Sequence, residues 1–193
     1  MKLGIFAKTF DRPTVEQVFE TVRAHGLACV QFNMSCVGLP SMPDEINAAV
    51  RSRVHQAAVN FGVEIEAVSG TYNMIHPDPG VRQKGLHRLR TLAAACHDLG
   101  ASVITLCTGT RDADDMWRWH DDNASPQARA DLLQAMEAAL RIAEEEQVTL
   151  AFEPERANVV NTAVRGCALL NTMQSPRLKV VIDPANIIVP GDA

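Results

Sequence analysis

Two carboxylates stand where an acidic side chain is costly unless something compensates it. Glu153 follows the apolar run Val148–Phe152, and Asp183 closes a second such run, Leu178–Ile182. Side chains alternate along an extended segment, so Val148, Leu150 and Phe152 share one face while Thr149, Ala151 and Glu153 share the other. The same split sets Leu178, Val180 and Ile182 against Lys179, Val181 and Asp183. An unpaired carboxylate at the inner end of a buried strand costs on the order of several kcal/mol unless a cation or donor network offsets it. Two of them with matching parity on adjacent strands could converge on one divalent cation, whose preferred ligands are oxygens. Taken singly, each has a plain structural alternative: a surface loop position for Glu153, a turn cap before Pro184 for Asp183.

Other chemistry-bearing residues fall near the same places. Arg156, just past Glu153, could orient a substrate hydroxyl or phosphate, or form a surface salt bridge. His76, in Tyr72-Asn-Met-Ile-His-Pro77, could touch substrate or hold a turn. The insert Asp112-Ala-Asp-Asp-Met-Trp-Arg-Trp-His120 carries both tryptophans, and Trp117 could belong to an aromatic lid that keeps water from a bound substrate. The alternative is a loop anchored by one buried Trp. Glu144-Glu145-Glu146 closes a helix against its dipole and reads as a solvated face.

These residues need elements to position them. Strands are expected at Leu3–Phe6, Cys29–Phe32, Val63–Val68, Val103–Cys107, Val148–Phe152 and Leu178–Ile182. Five amphipathic helices alternate with them. The first runs from Thr14 to His25, with Thr14 and Gln17 at capping-box spacing and Gly26 as its stop. The second is expected to open at Asp44 and end before Gly62, and the third carries Leu86, Leu89, Ala93 and Cys96 before Gly100. Ser125-Pro126 is an N-cap and first-turn pair for the fourth, and Thr162 starts a fifth that ends before Pro176. Regular alternation implies right-handed crossovers and a parallel sheet, either closed as a barrel or open and doubly wound. The split faces of the last two strands and the lack of any glycine-rich nucleotide fingerprint favour the barrel.

A chain of 193 residues with 47% hydrophobic content suits one large core, so a single domain over 1–193 is expected. Its net charge of -5, with no basic cluster, disfavours nucleic acid and anionic membranes as partners. The short apolar run at the N-terminus suits neither signal peptide nor spanning helix, and a cytoplasmic location is expected. Five scattered cysteines without a C-x-x-C pair read as reduced thiols.

Leu150-Ala-Phe-Glu-Pro-Glu155 and Val180-Val-Ile-Asp-Pro-Ala-Asn186 resemble the corresponding segments of the xylose isomerase-like barrels, and the resemblance runs along the whole chain. That family includes sugar and sugar phosphate isomerases, tagatose and psicose epimerases, inosose dehydratases and, more distantly, abasic-site nucleases. The resemblance implies that Glu153 and Asp183 bind a divalent metal (Mn, Mg, Co or Zn) and that Glu153 also moves a proton through an enediolate. Asn186 matches a position where epimerases often have a substrate-contacting His, which implies a substrate role. A His from a seventh strand and a Glu from an eighth would complete the site. A full barrel needs about 250 residues, so an α/β (β/α) barrel ending after the sixth of eight units is expected, with residues 190–193 as the loop after strand six. The implied function is a metal-dependent carbohydrate isomerase or epimerase, inactive on its own if half its site is missing. The alternatives are a dehydratase-type lyase on the same fold and a non-catalytic partial barrel. The nuclease reading is disfavoured by the acidic charge and by Thr108-Gly109-Thr110 where a His-bearing site would be needed. Strand edges left open would be hidden in a homo-oligomer.

Overall fold

The computed structural model describes residues 2–187. Six strands, β1 (Gly4–Phe6), β2 (Cys29–Phe32), β3 (Glu64–Ser69), β4 (Val103–Cys107), β5 (Thr149–Glu153) and β6 (Leu178–Val180), form one parallel sheet. Between them run α1 (Val15–Ala24), α2 (Ala48–Phe61), α3 (Pro79–Cys96), α4 (Pro126–Glu145) and α5 (Ala163–Met173), with a single turn α6 (Pro184–Ile187) after β6. The spatial order β1-β2-β3-β4-β5-β6 follows the chain without reversal. A doubly wound sheet reverses its order at a switch point, so this arrangement is the wall of a (β/α) barrel.

Local chemistry explains where the helices begin and end. Thr14, Ser125 and Thr162 cap α1, α4 and α5 with their side-chain oxygens, as their spacing predicts. The glycine stop after α2 is real: Gly62 has φ +61, a left-handed conformation that a side chain would strain. The start of α2 differs from expectation. Asn47, not Asp44, is its cap, accepting from Val50 N at 2.9 Å, while both Asp44 carboxylate oxygens are taken by Arg88 of α3. Sequence offers two good caps three residues apart, and the ion pair to α3 removes one of them.

The two sheet faces are distinct. Phe152 lies against α5, where a Cβ on Gly166 would stand 3.7 Å from its ring, so Leu150 and Phe152 face the helices and Thr149, Ala151 and Glu153 face inward. On β4, Ile104 faces the helix layer: a Cβ on Gly70, just after β3, would stand 2.4 Å from Ile104 and 3.4 Å from Leu92 of α3. Cys107 therefore shares the inner face with Glu153, its register partner. The core lies between sheet and helices, centred on Phe19, Phe32, Leu92, Ile104, Met136 and Phe152.

The sixth strand is shorter than expected. It ends at Val180, and Ile182 is 71% exposed instead of facing a helix, so Asp183 is placed by the following turn and not by strand parity. Residues 190–193, expected to form the loop after strand six, lie outside the described residues. β1 pairs only with β2 and β6 only with β5 among the described residues, and Leu3 and Ile182 are exposed beside these edges.

Candidate functional site

Glu153 and Asp183 meet at the C-terminal rim of the sheet. The Asn186 side chain donates from Nδ2 to Glu153 Oε1 at 2.9 Å and to Asp183 Oδ2 at 3.3 Å, so one amide serves both carboxylates. The other Asp183 oxygen accepts from Ala185 N at 2.9 Å, the turn cap before Pro184 that its sequence position allows. Capping and facing Glu153 are thus carried by different oxygens of one side chain. Glu155 is the third acid here. Burial, then the charge of Glu155, then that of Asp183 push the Glu153 carboxyl up to about 7, with the Asn186 amide opposing them. The Glu155 carboxyl is raised by burial and by Asp183. On the neighbouring strand burial pushes the Cys107 thiol up to about 12, and it donates to the Tyr72 carbonyl at 3.4 Å, so it is no ready nucleophile.

The remaining expected residues are placed differently. Arg156 Nη2 donates to the Ala185 carbonyl at 2.8 Å, tying the loop after β5 to the turn after β6. His76 uses both ring nitrogens within the protein: Nε2 donates to the Ala113 carbonyl and Nδ1 accepts from Asp78 N, each at 3.0 Å. That makes it a clamp on the 112–122 insert. Trp117 and Trp119 are 54% and 39% exposed, which removes the alternative of a loop anchored by a buried Trp. The anchor is Asp112, whose carboxylate accepts from Asp114 N, Asp115 N and both Arg118 donors, the last pair at 2.5 and 2.8 Å. Arg118 and these amides hold the Asp112 carboxyl well below its usual range.

Three buried asparagines that the sequence did not single out as site residues hold the rim together. Asn73 Oδ1 accepts from Thr110 N and its Nδ2 donates to the Thr110 carbonyl. Asn158 Oδ1 accepts from Gly109 N at 2.8 Å. Asn123 accepts from Arg111 N and donates to the Ala157 carbonyl. The loops after β3, β4 and β5 are therefore locked to each other by side-chain amides replacing missing backbone partners. The only sequence signal was polar residues in otherwise buried stretches.

Among the described residues no group of three or more His, Cys, Asp or Glu side chains could hold a metal ion. The chemistry of Glu153 and Asp183 nevertheless suits one. They are two oxygen ligands that share the Asn186 amide, with Asp183 also accepting from Ala185 N, and they would fill two positions of a hard or borderline cation.

The sequence model of the xylose isomerase-like TIM barrel family matches residues 6–193. No curated protein matches the chain. Among solved structures, 3-keto-D-glucoside 4-epimerase from E. coli aligns with TM-score 0.80 at 14% identity, covering 100% of this chain and 72% of that one. D-psicose 3-epimerase with D-tagatose, from Clostridium cellulolyticum H10, gives TM-score 0.78 at 17% identity over 100% and 67%. A xylose isomerase-like TIM barrel protein from Mycobacterium smegmatis, in complex with magnesium, gives TM-score 0.72 at 13% identity over 96% and 65%. The chain thus spans roughly two thirds to three quarters of these structures, and identities this low establish the fold alone. With six parallel strands in barrel order and a family match over nearly its whole length, the chain belongs to the xylose isomerase-like TIM barrel family.

Proposed function

We propose that residues 1–193 are one barrel domain carrying the strand-five and strand-six part of a metal-dependent carbohydrate isomerase or epimerase site. The observation that carries this reading is the sharing of Asn186 Nδ2 by Glu153 and Asp183, which brings two carboxylates from successive units to one point. Epimerases among the solved structures of the same fold, and magnesium in another, support it.

In this reading Glu153 and Asp183 hold the cation, with water or substrate oxygens in the other positions. A divalent cation bound there would polarise a substrate hydroxyl and carbonyl. Glu153 also moves a proton at the carbon beside the carbonyl. Asn186 turns its amide toward the substrate, Arg156 holds the rim closed, and Trp117 packs on the sugar from the insert that His76 clamps. The substrate is a small carbohydrate, without nucleic acid or membrane partners. No helix among the described residues is long and apolar enough to cross a membrane, and we place the chain in the cytoplasm.

Incubating the chain with manganese or magnesium and free ketoses in heavy water, with NMR detection, tests this directly. Deuterium entering beside the carbonyl, lost in Glu153→Gln, supports proton transfer. Loss of water from a keto-polyol instead would assign the dehydratase alternative. Neither reaction in a chain that binds the metal would leave the non-catalytic partial barrel.

A further inference from the structure

On the outer side of the barrel wall, α3 packs along α4 whereas α4 and α5 barely touch. The gap is a cavity of ≈ 350 Å³, within the roughly 300–1,000 Å³ of small-molecule sites. Leu132, Val159, Val160 and Leu169 form an apolar floor that is itself part of the core, so the cavity is shaped by packed side chains. Its charged groups are of one sign. Arg129 and Arg165 line it and no acidic residue does. Neither arginine forms an ion pair among the described residues, in a chain where most other arginines do; Arg165 spends one donor on the Val159 carbonyl. Ser125 and Pro126, at the positive end of the α4 dipole, also line it.

We propose that this cleft binds a small organic anion with an apolar body, its carboxylate held by Arg129 and Arg165 and its hydrocarbon part lying on Leu132, Val160 and Leu169. Charge complementarity selects the head group. An uncompensated guanidinium pair in an acid-free cavity favours a carboxylate that can accept several N–H donors. The apolar floor selects the body, because removing hydrocarbon from water is favourable in proportion to the apolar area buried. Free inorganic phosphate offers no such body and would bind less well. The site is independent of the strand-end carboxylates, so it stands or falls separately from the proposed activity.

Calorimetric titration of the whole chain with hexanoate, hexanol and inorganic phosphate tests it, with amide NMR shifts locating the binding. The expected result is saturable hexanoate binding, at least tenfold tighter than hexanol or phosphate, that shifts amides at 125–133 and 159–169. The double variant Arg129→Gln, Arg165→Gln, at positions whose side chains are exposed, should weaken hexanoate at least tenfold and leave the melting temperature within a few degrees. Glu153→Gln should leave hexanoate binding unchanged. Absence of saturable binding, hexanol binding as tightly as hexanoate, or hexanoate affinity unaltered in the double variant would overturn the proposal.

Discussion

Glu153 Oε1 and Asp183 Oδ2 accept from the same nitrogen, Asn186 Nδ2, at 2.9 and 3.3 Å. A neutral amide carries only partial positive charge, and three acids share this rim. Burial and the charges of Glu155 and Asp183 leave the Glu153 carboxyl near 7. In the chain without metal, the site is therefore a source of strain that appears only when Glu153 ionises.

This gives a pH-dependent stability with a definite sign. Unfolded, Glu153 titrates near 4.5; folded, near 7. A raised folded value means that both states are protonated below 4.5 and no cost arises, while stability is lost as pH rises through 7. Glu153→Gln never ionises, so without metal it should exceed the wild type at pH 8 by on the order of 1–3 kcal/mol and match it at pH 4. Urea unfolding at the two pH values checks this. A variant less stable than the wild type at pH 8 would show that the carboxylate is compensated by groups other than Asn186.

The rim scaffold should be intolerant at Gly109. Its φ is +82, and a Cβ there would lie 2.2 Å from Asn73 Oδ1 and 2.8 Å from Met74 N. Gly109→Ala should cost on the order of 2–4 kcal/mol, combining left-handed strain with displacement of the Asn73 amide. Asn158→Ala, which strands the Gly109 N–H, should cost about 1–3 kcal/mol. Thermal unfolding of both variants reads these losses.

Order in the 112–122 insert should depend on Asp112. Its carboxyl is held low, so its contribution is fully present above the ordinary carboxylate range of about 3.9 and fades as pH falls below it. Asp112→Asn should loosen the insert at pH 7, and the difference from the wild type should narrow in strong acid. Both tryptophans of the chain lie on this insert, so fluorescence anisotropy reports on it alone. Equal anisotropy at pH 7 would mean that the asparagine anchors suffice.

The edges at β1 and β6 should be covered by a second copy of the chain. Leu3 and Ile182, 69% and 71% exposed, flank these edges, and unpaired strand groups invite pairing. Light scattering is expected to find a dimer or higher oligomer that Leu3→Glu or Ile182→Glu shifts toward monomer. A cooperatively melting monomer of the unaltered chain would rule this out.

The barrel was legible because each unit repeats one physical pattern: an apolar run, a capped amphipathic helix and a stop. Inward parity located Glu153 because β5 reaches that residue. For Asp183 parity named the right place by a different route, since β6 stops at Val180 and a turn, not the pleat, brings the carboxylate round to Glu153. The start of α2 was placed at Asp44 instead of Asn47 because the partner that takes the Asp44 carboxylate, Arg88, is remote in sequence. The scaffold of Asn73, Asn123 and Asn158 could not be read, because each amide bonds a backbone group more than ten residues away. His76 and Arg156 are polar groups at the right end of the barrel, each of which donates to a loop carbonyl.

The central claim is that Glu153 and Asp183 together hold a divalent cation. Calorimetric titration of manganese into the chain, Glu153→Gln and Asp183→Asn tests it most directly. Two protein carboxylates leave most positions to water, so the expected result is weak, one-to-one binding by the unaltered chain and loss of at least tenfold in affinity in each variant. Tight binding that survives both substitutions would place the metal elsewhere and contradict the account.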